Sequence, residues 1–198
     1  MMHLSTTPPE LDIALSFLKP GDILTHCYTG QTMKLIDTNG KILPSAKKAW
    51  DSGIIMDLGH GCGSFSFDSA EALIKQRYWP HIISSDLHTL SIHGPNLVDP
   101  LKGAGVREIA RDGDARDIHY QVRGDGKPAF NLLTCMDKML CLGMSFTEII
   151  RSTTSRPAEV LGLKGEIGTL RPGARADITG LVIERGDYEL IDIHILIF

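Results

Sequence analysis

Four short stretches end an apolar run on a residue able to do chemistry. "DILTHCYTG" ends on His26, "GIIMDLGHG" on the glycine-flanked His60, and "HIISSDLHT" on Asp86. "MMHLS" places His3 in a comparable position at the head of the chain. Neutral imidazoles donate a lone pair to a divalent metal such as zinc, and a carboxylate completes such a site or takes a proton from water. A metal held there would acidify water and polarise a carbonyl. Each residue alone has an ordinary reading. His60 can serve a turn between glycines, Asp86 can cap a following helix, and His3 merely lies near a chain start. Their order, each at the end of an apolar run, is what points to a site. His88 and His93 read as loop residues, and His81 and His194, early in apolar strands, as packed or edge residues.

The elements that must position these residues follow from pattern and punctuation. "TPPELDIALSFLKPGD" predicts a helix, with Pro8 and Pro9 near its first turn and Pro20-Gly21 ending it. A strand over Ile23-Leu24-Thr25 follows. "ILPSAKKAWDSG" predicts a short helix with Pro44 near its start and Gly53 past its end, and "GIIMDLGHG" a second strand. "SFDSAEALIKQRYWP" is helical with Ser66 or Asp68 as cap, and "HIISSDLHT" is a third strand. Alternating helices and strands favour a parallel sheet covered by helices. In a parallel βα barrel, catalytic groups come from the C-terminal ends of several strands.

Residues 94–128 are rich in Gly, Asp and Arg and read as a long loop or insertion. Arg107, Arg111, Arg116 and Arg123 within it could meet an acidic substrate or simply be solvated. "FNLLTCMDKMLCLGM" predicts a helix whose Leu132, Leu133, Met136, Met139 and Leu140 share a core-facing stripe. "SFTEIIRSTTSRPAEVLGL" adds a helix capped by Ser145, with Glu148 three residues on. Pro157 interrupts it, and "AEVLGL" makes one more short helix. The remainder, "KGEIGTLRPGARADITGLVIERGDYELIDIHILIF", is glycine-punctuated and then β-rich, as in a small sheet or half-sandwich.

Composition narrows the class. The chain has 198 residues, 42% of them hydrophobic, and a formal net charge of -4. A core is therefore affordable, and a nucleic-acid partner is not indicated, because phosphate contacts need clustered Lys and Arg. No apolar run approaches a membrane span, and the N-terminus lacks a signal-peptide pattern. The four cysteines, Cys27, Cys62, Cys135 and Cys141, form no C-x-x-C pair. That argues against a zinc ribbon and for reduced thiols in a cytoplasmic protein.

"LTHCYTG", "DLGHGCGSFSFD", "ISSDLHTLSIHGP" and "GEIGTLRPGARADIT" together resemble the amidohydrolase superfamily, in its dihydroorotase-like amidohydrolase and deacetylase branch. The resemblance implies an α/β fold: part of a (β/α)8 (TIM) barrel, about strands 5–8 with their helices, over residues 1–160. Residues 161–198 would then be a piece of the small β-sandwich beside it. His3 and His26 are similar to the fifth- and sixth-strand metal ligands. His60 is similar to the glycine-flanked seventh-strand histidine that faces substrate. Asp86 is similar to the eighth-strand aspartate that binds metal and shuttles the proton. The implied cofactor is a divalent metal, zinc foremost, in one or two ions. The implied reaction is metal-dependent hydrolysis of C–N bonds of amides or cyclic amides, or of acetyl groups, on small-molecule substrates. The family's first-strand His-x-His pair and its bridging fourth-strand lysine have no counterpart in this sequence. The chain therefore resembles the C-terminal half of such a barrel. A homo-oligomer or a partner chain would complete it, and the alternative is a truncated, non-catalytic remnant or interaction subunit.

Overall fold

The computed structural model describes residues 1–88, 130–187, 190 and 192. The expected insertion at 94–128, with its four arginines, and His93 and His194 lie outside the described residues. The strands β1 (Met2–His3), β2 (Ile23–Thr25) and β3 (Ile55–Met56) form a parallel sheet in the order β1-β2-β3. The register pairs His3 with Thr25 and Leu24 with Met56. Strand neighbours in space are thus neighbours in sequence, as successive βα units require. The stretch expected as the next strand joins the same ladder. Asp57 and Ile82 form a parallel bridge, Leu58 N–H donates to Ile82 O at 2.9 Å, and His60 N–H to Ser84 O at 3.0 Å. This small parallel sheet with its helices is consistent with part of a βα barrel.

Helices α1 (Leu11–Ser16) and α2 (Pro44–Asp51) pack on one another, and α3 (Phe67–Lys75) follows β3. Pro44 opens α2, where its missing N–H costs nothing. The N-cap of α3 is Ser66, but its hydroxyl makes no capping bond. The N–H of Phe67 is instead taken by Asp192 Oδ2 at 2.8 Å, from 125 residues away in sequence. Helix α4 (Leu132–Cys141) starts on a capping box between Asn131 and Thr134, and α5 (Phe146–Thr153) on Ser145, which accepts from the N–H of Glu148. Helix α6 (Ser155–Val160) begins before Pro157 rather than after it. The break falls at Thr154, and Pro157 lies in the first turn of α6, where a proline is tolerated.

The core gathers Leu4, Leu24, Met56, Leu58, Phe65, Phe67, Leu73, Phe130 and Met139 beneath the sheet and helices. The buried face of α4 differs from the expected stripe. Met136 and Met139 are buried, but Leu132, Leu133 and Leu140 are exposed, and Cys135 and Lys138 take the inward positions. Residues 161–187 contain no strand beyond the isolated bridge Lys164–Ile167. No described helix is long and apolar enough to cross a membrane. Cys27, Cys62, Cys135 and Cys141 are free thiols, the last of them exposed.

Candidate functional site

The sheet brings the ends of its strands to one side. His3 ends β1, His26 follows β2 by one residue, and Asp86 follows the stretch paired with residues 57–61. The His3 and His26 rings meet edge to face with centroids 4.2 Å apart. His26 Nε2 lies 3.7 Å from Asp86 Oδ2. Both His26 (φ 63°) and Asp86 (φ 49°) occupy the left-handed backbone region. Residues other than glycine are uncommon there, and they persist where the surroundings fix them.

Hydrogen bonding sets the tautomer of His26. Its Nδ1 makes a short bond to the carbonyl of Gly59, and a carbonyl can only accept, so Nδ1 carries the proton. Burial, and then the neighbouring His3, lower the pKa of the ring, and the Gly59 bond and the Asp86 carboxylate pull the other way. The contact with Asp86 is thus between a neutral imidazole lone pair and a carboxylate oxygen. Two electron-pair donors facing one another at that distance suit a shared cation or proton. A ligand histidine whose other nitrogen donates to a backbone carbonyl is the usual arrangement around a metal. The donor types and the orientation of His26 therefore fit a divalent cation. Among the described residues, however, no group of three or more His, Cys, Asp or Glu side chains is placed to hold a metal ion.

The turn carrying His60 is built against these residues. Gly59 and Gly61 have φ of +46° and +57°. A Cβ on Gly59 would overlap Thr25 Oγ1, and one on Gly61 would stand 3.2 Å from Asp86 Oδ2 and 3.4 Å from His26 Cε1. Glycine is required for close approach as well as for backbone conformation. His60 itself is fully buried. Its Nδ1–H donates to Gly61 O at 2.8 Å, and its Nε2 meets Lys138 Nζ at 2.7 Å. Its ring stacks on Phe65, centroids 5.1 Å apart, and leans on Phe130 at 4.5 Å. The expected substrate-facing histidine is therefore enclosed in this structure, with both ring nitrogens engaged.

Three contributors escaped the reading of the sequence. Asp57 Oδ2 accepts from Thr25 Oγ1 at 2.7 Å and from Ser84 Oγ at 2.9 Å, tying together three neighbouring stretches of the ladder. Its Oδ1 is buried without a hydrogen-bond partner among the described residues, and burial raises the pKa of the carboxyl. Its place at the end of an apolar strand was visible; its partners were not. Lys138 and Asp192 gave no local signal at all. His81 behaves as expected of a packed residue, its Nδ1 accepting from Met56 N–H at 2.9 Å. His88 is exposed, with Nε2 3.7 Å from Cys62 Sγ. A groove of about 840 Å³ between α4 and residues 181–187 and 190 is lined by none of the candidate site residues.

A model of the Amidohydrolase family matches residues 45–185. The chain belongs to the amidohydrolase family. It is 31% identical over 193 residues to a deacetylase of Enterococcus faecalis, covering 97% of this chain and 43% of that protein. It is 32% identical to a deacetylase of Brucella anthropi, covering 97% of this chain and 39% of the relative. The chain thus spans less than half the length of these relatives. A crystal structure of an adenine deaminase superimposes with a TM-score of 0.74 at 30% identity, over 97% of this chain and 44% of the other. A dihydroorotase superimposes with 0.69 at 28% identity, over 99% and 42%. These amidohydrolase-family likenesses agree with the dihydroorotase-like and deacetylase resemblance of the strand-end motifs.

Proposed function

We propose that this chain carries part of the active site of a metal-dependent hydrolase acting on C–N bonds of amides or cyclic amides, or on acetyl groups of small molecules. The observation that carries the reading is the pairing of His26 Nε2 with Asp86 Oδ2 at 3.7 Å, with His26 Nδ1–H anchored on Gly59. The family and its deacetylase, adenine deaminase and dihydroorotase likenesses support the reaction class.

His3, His26 and Asp86 would hold the divalent metal, zinc foremost. When bound, it supplies acidified water and a polarised carbonyl. Asp86 takes a proton at Oδ2 and returns it to the leaving group, a task its exposed position allows, since its side chain keeps 47% of its surface in solvent. His26 keeps its lone pair directed because Gly59 holds the opposite nitrogen. Residues 1–160 would form the hydrolase part, with residues 161–198 contributing to a small β-sandwich. A partner chain or second copy would add the remaining donors, because two histidines and one aspartate hold a metal more weakly than a full set. A non-catalytic remnant that retains these residues is the second reading, favoured by the lack of three convergent donors among the described residues.

The test is turnover of a panel of N-acetyl, acetyl-ester and cyclic-amide substrates with added Zn²⁺ and with EDTA. It uses the chain alone and the chain co-expressed with a family segment bearing His-x-His and the strand-end lysine. Chelator-sensitive hydrolysis that falls at least ~100-fold in Asp86→Asn supports the proposal. Unchanged turnover in Asp86→Asn would remove the assigned role. No turnover in either setting would favour the remnant.

A further inference from the structure

We infer that Lys138 is a positioning residue for this site: it locks the ring of His60 in one tautomer and thereby fixes the Gly59–Gly61 turn that orients His26. The inference deepens the hydrolase reading and rests on it for its functional consequence. The bonds themselves stand apart from any reaction.

Lys138 lies on α4 with no exposed surface. Its Nζ sits 2.7 Å from His60 Nε2, and 4.7 Å and 5.6 Å from the ring centroids of Phe65 and Phe67. A lysine amine buried among aromatic faces is costly unless it is hydrogen-bonded. The polarity of the bond is unambiguous. Gly61 O can only accept, so His60 Nδ1 bears the proton and Nε2 is left as an acceptor. Lys138 is the donor. Burial brings its pKa down to about 8, with Cys135 and Asp192 pulling the other way. Asp192, buried as well, spends one oxygen on the N–H of Phe67, at the start of α3.

The ring transmits this anchoring to the turn. His60 is clamped between Phe65 and Phe130 and bonded at both nitrogens, so its backbone has little room to rotate. Its N–H and that of Gly61 donate to Ser84 O and Ser85 O, directly before Asp86. The carbonyl of Gly59, one residue earlier, receives His26 Nδ1–H. Lys138 thus reaches both His26 and Asp86 through a single fixed turn. A methionine of similar length would fill the same space without donating.

The experiment is a long-range ¹H–¹⁵N correlation of the histidine rings in the labelled 198-residue chain with EDTA, paired with a Co²⁺ titration followed by its visible absorption. The parent is expected to show His60 as a single Nδ1–H tautomer. Folded Lys138→Met should show a mixture or the Nε2–H form, and its Co²⁺ affinity should fall about 10–100-fold. Lys138→Gln, which keeps an N–H donor, should restore the Nδ1–H form. A parent His60 in the Nε2–H form overturns the inference, as does an unaltered tautomer in folded Lys138→Met. Should Lys138→Met fail to fold, the parent spectrum and Lys138→Gln decide in the same way. A parent chain that binds no Co²⁺ leaves the hydrolase reading to the turnover of the co-expressed chains, and the His60 spectrum still decides the role of Lys138.

Discussion

His26 and Asp86 share a backbone conformation that costs each of them about 1–3 kcal/mol. Arg77 has a positive φ too, just past the C-cap residue Gln76 of α3, where the chain turns. The other two lie at strand ends and face one another, which ties their strain to the site. Asparagine accepts the left-handed region about as well as aspartate. Asp86→Asn is therefore expected to leave stability within about 0.5 kcal/mol of the parent while removing the proton carrier. Denaturant melts alongside the activity assay check this, and a large loss of stability would make the activity result uninterpretable as chemistry. Histidine protonation gives a second prediction. Burial lowers the pKa of His60, with Lys138 adding to the effect, and burial lowers that of His81. Below their ordinary value of 6.5 the unfolded chain binds protons that the folded chain refuses. Stability must then fall as pH drops through 6.5, by up to about 1.4 kcal/mol per pH unit for the fully buried His60 and less for His81. Urea midpoints at pH 7.5 and 5.5, with EDTA present, report it; equal midpoints would mean that these rings protonate freely in the fold.

The helices and the Gly59–Gly61 turn differ in what holds them. Helix α5 rests on a local cap, Ser145 to the N–H of Glu148. Ser145→Ala should cost about 1 kcal/mol, read from thermal or urea melts. Gly59 is a tertiary constraint. Its positive φ and the closeness of Thr25 Oγ1 leave no room for a methyl group. Gly59→Ala is expected to cost more than ~2 kcal/mol and to loosen Co²⁺ binding, whereas Gly143→Ala, where a Cβ meets nothing within 4 Å, should cost only its backbone term. Similar losses in both variants would mean that the turn is not packed as described. The same contrast explains which elements were legible. Pro44, the Ser145–Glu148 pair and the strand-ending glycines act within a few residues, so their effect can be read from the chain. The cap of α3 by Asp192 and the inward turn of Lys138 on α4 are decided by partners far away in sequence.

At the scale of the molecule, β1 pairs on one side only among the described residues. Leu133, Phe146, Leu181, Val182 and Ile183 leave substantial apolar surface exposed along the groove beside α4. An unpaired strand edge and an exposed apolar face favour association. The chain alone is expected to self-associate, with a sedimentation coefficient that rises with concentration. A single monomeric species at all concentrations would show that these surfaces are tolerated in water.

The sequence by itself determined the alternation of helices and parallel strands, the placement of His3, His26 and Asp86 at strand ends, and the family. Those features depend on periodicity, turn residues and short motifs, all local in the chain. Only the tertiary structure decided that His26 Nδ1 bonds to Gly59 and leaves Nε2 toward Asp86, that Asp57 ties Thr25 to Ser84, and that His60 is enclosed beside Lys138. Each of these joins residues 25 or more positions apart. A buried polar atom takes whichever partner the packed chain brings within about 3 Å, and that choice is made only when the strands and α4 close over the core.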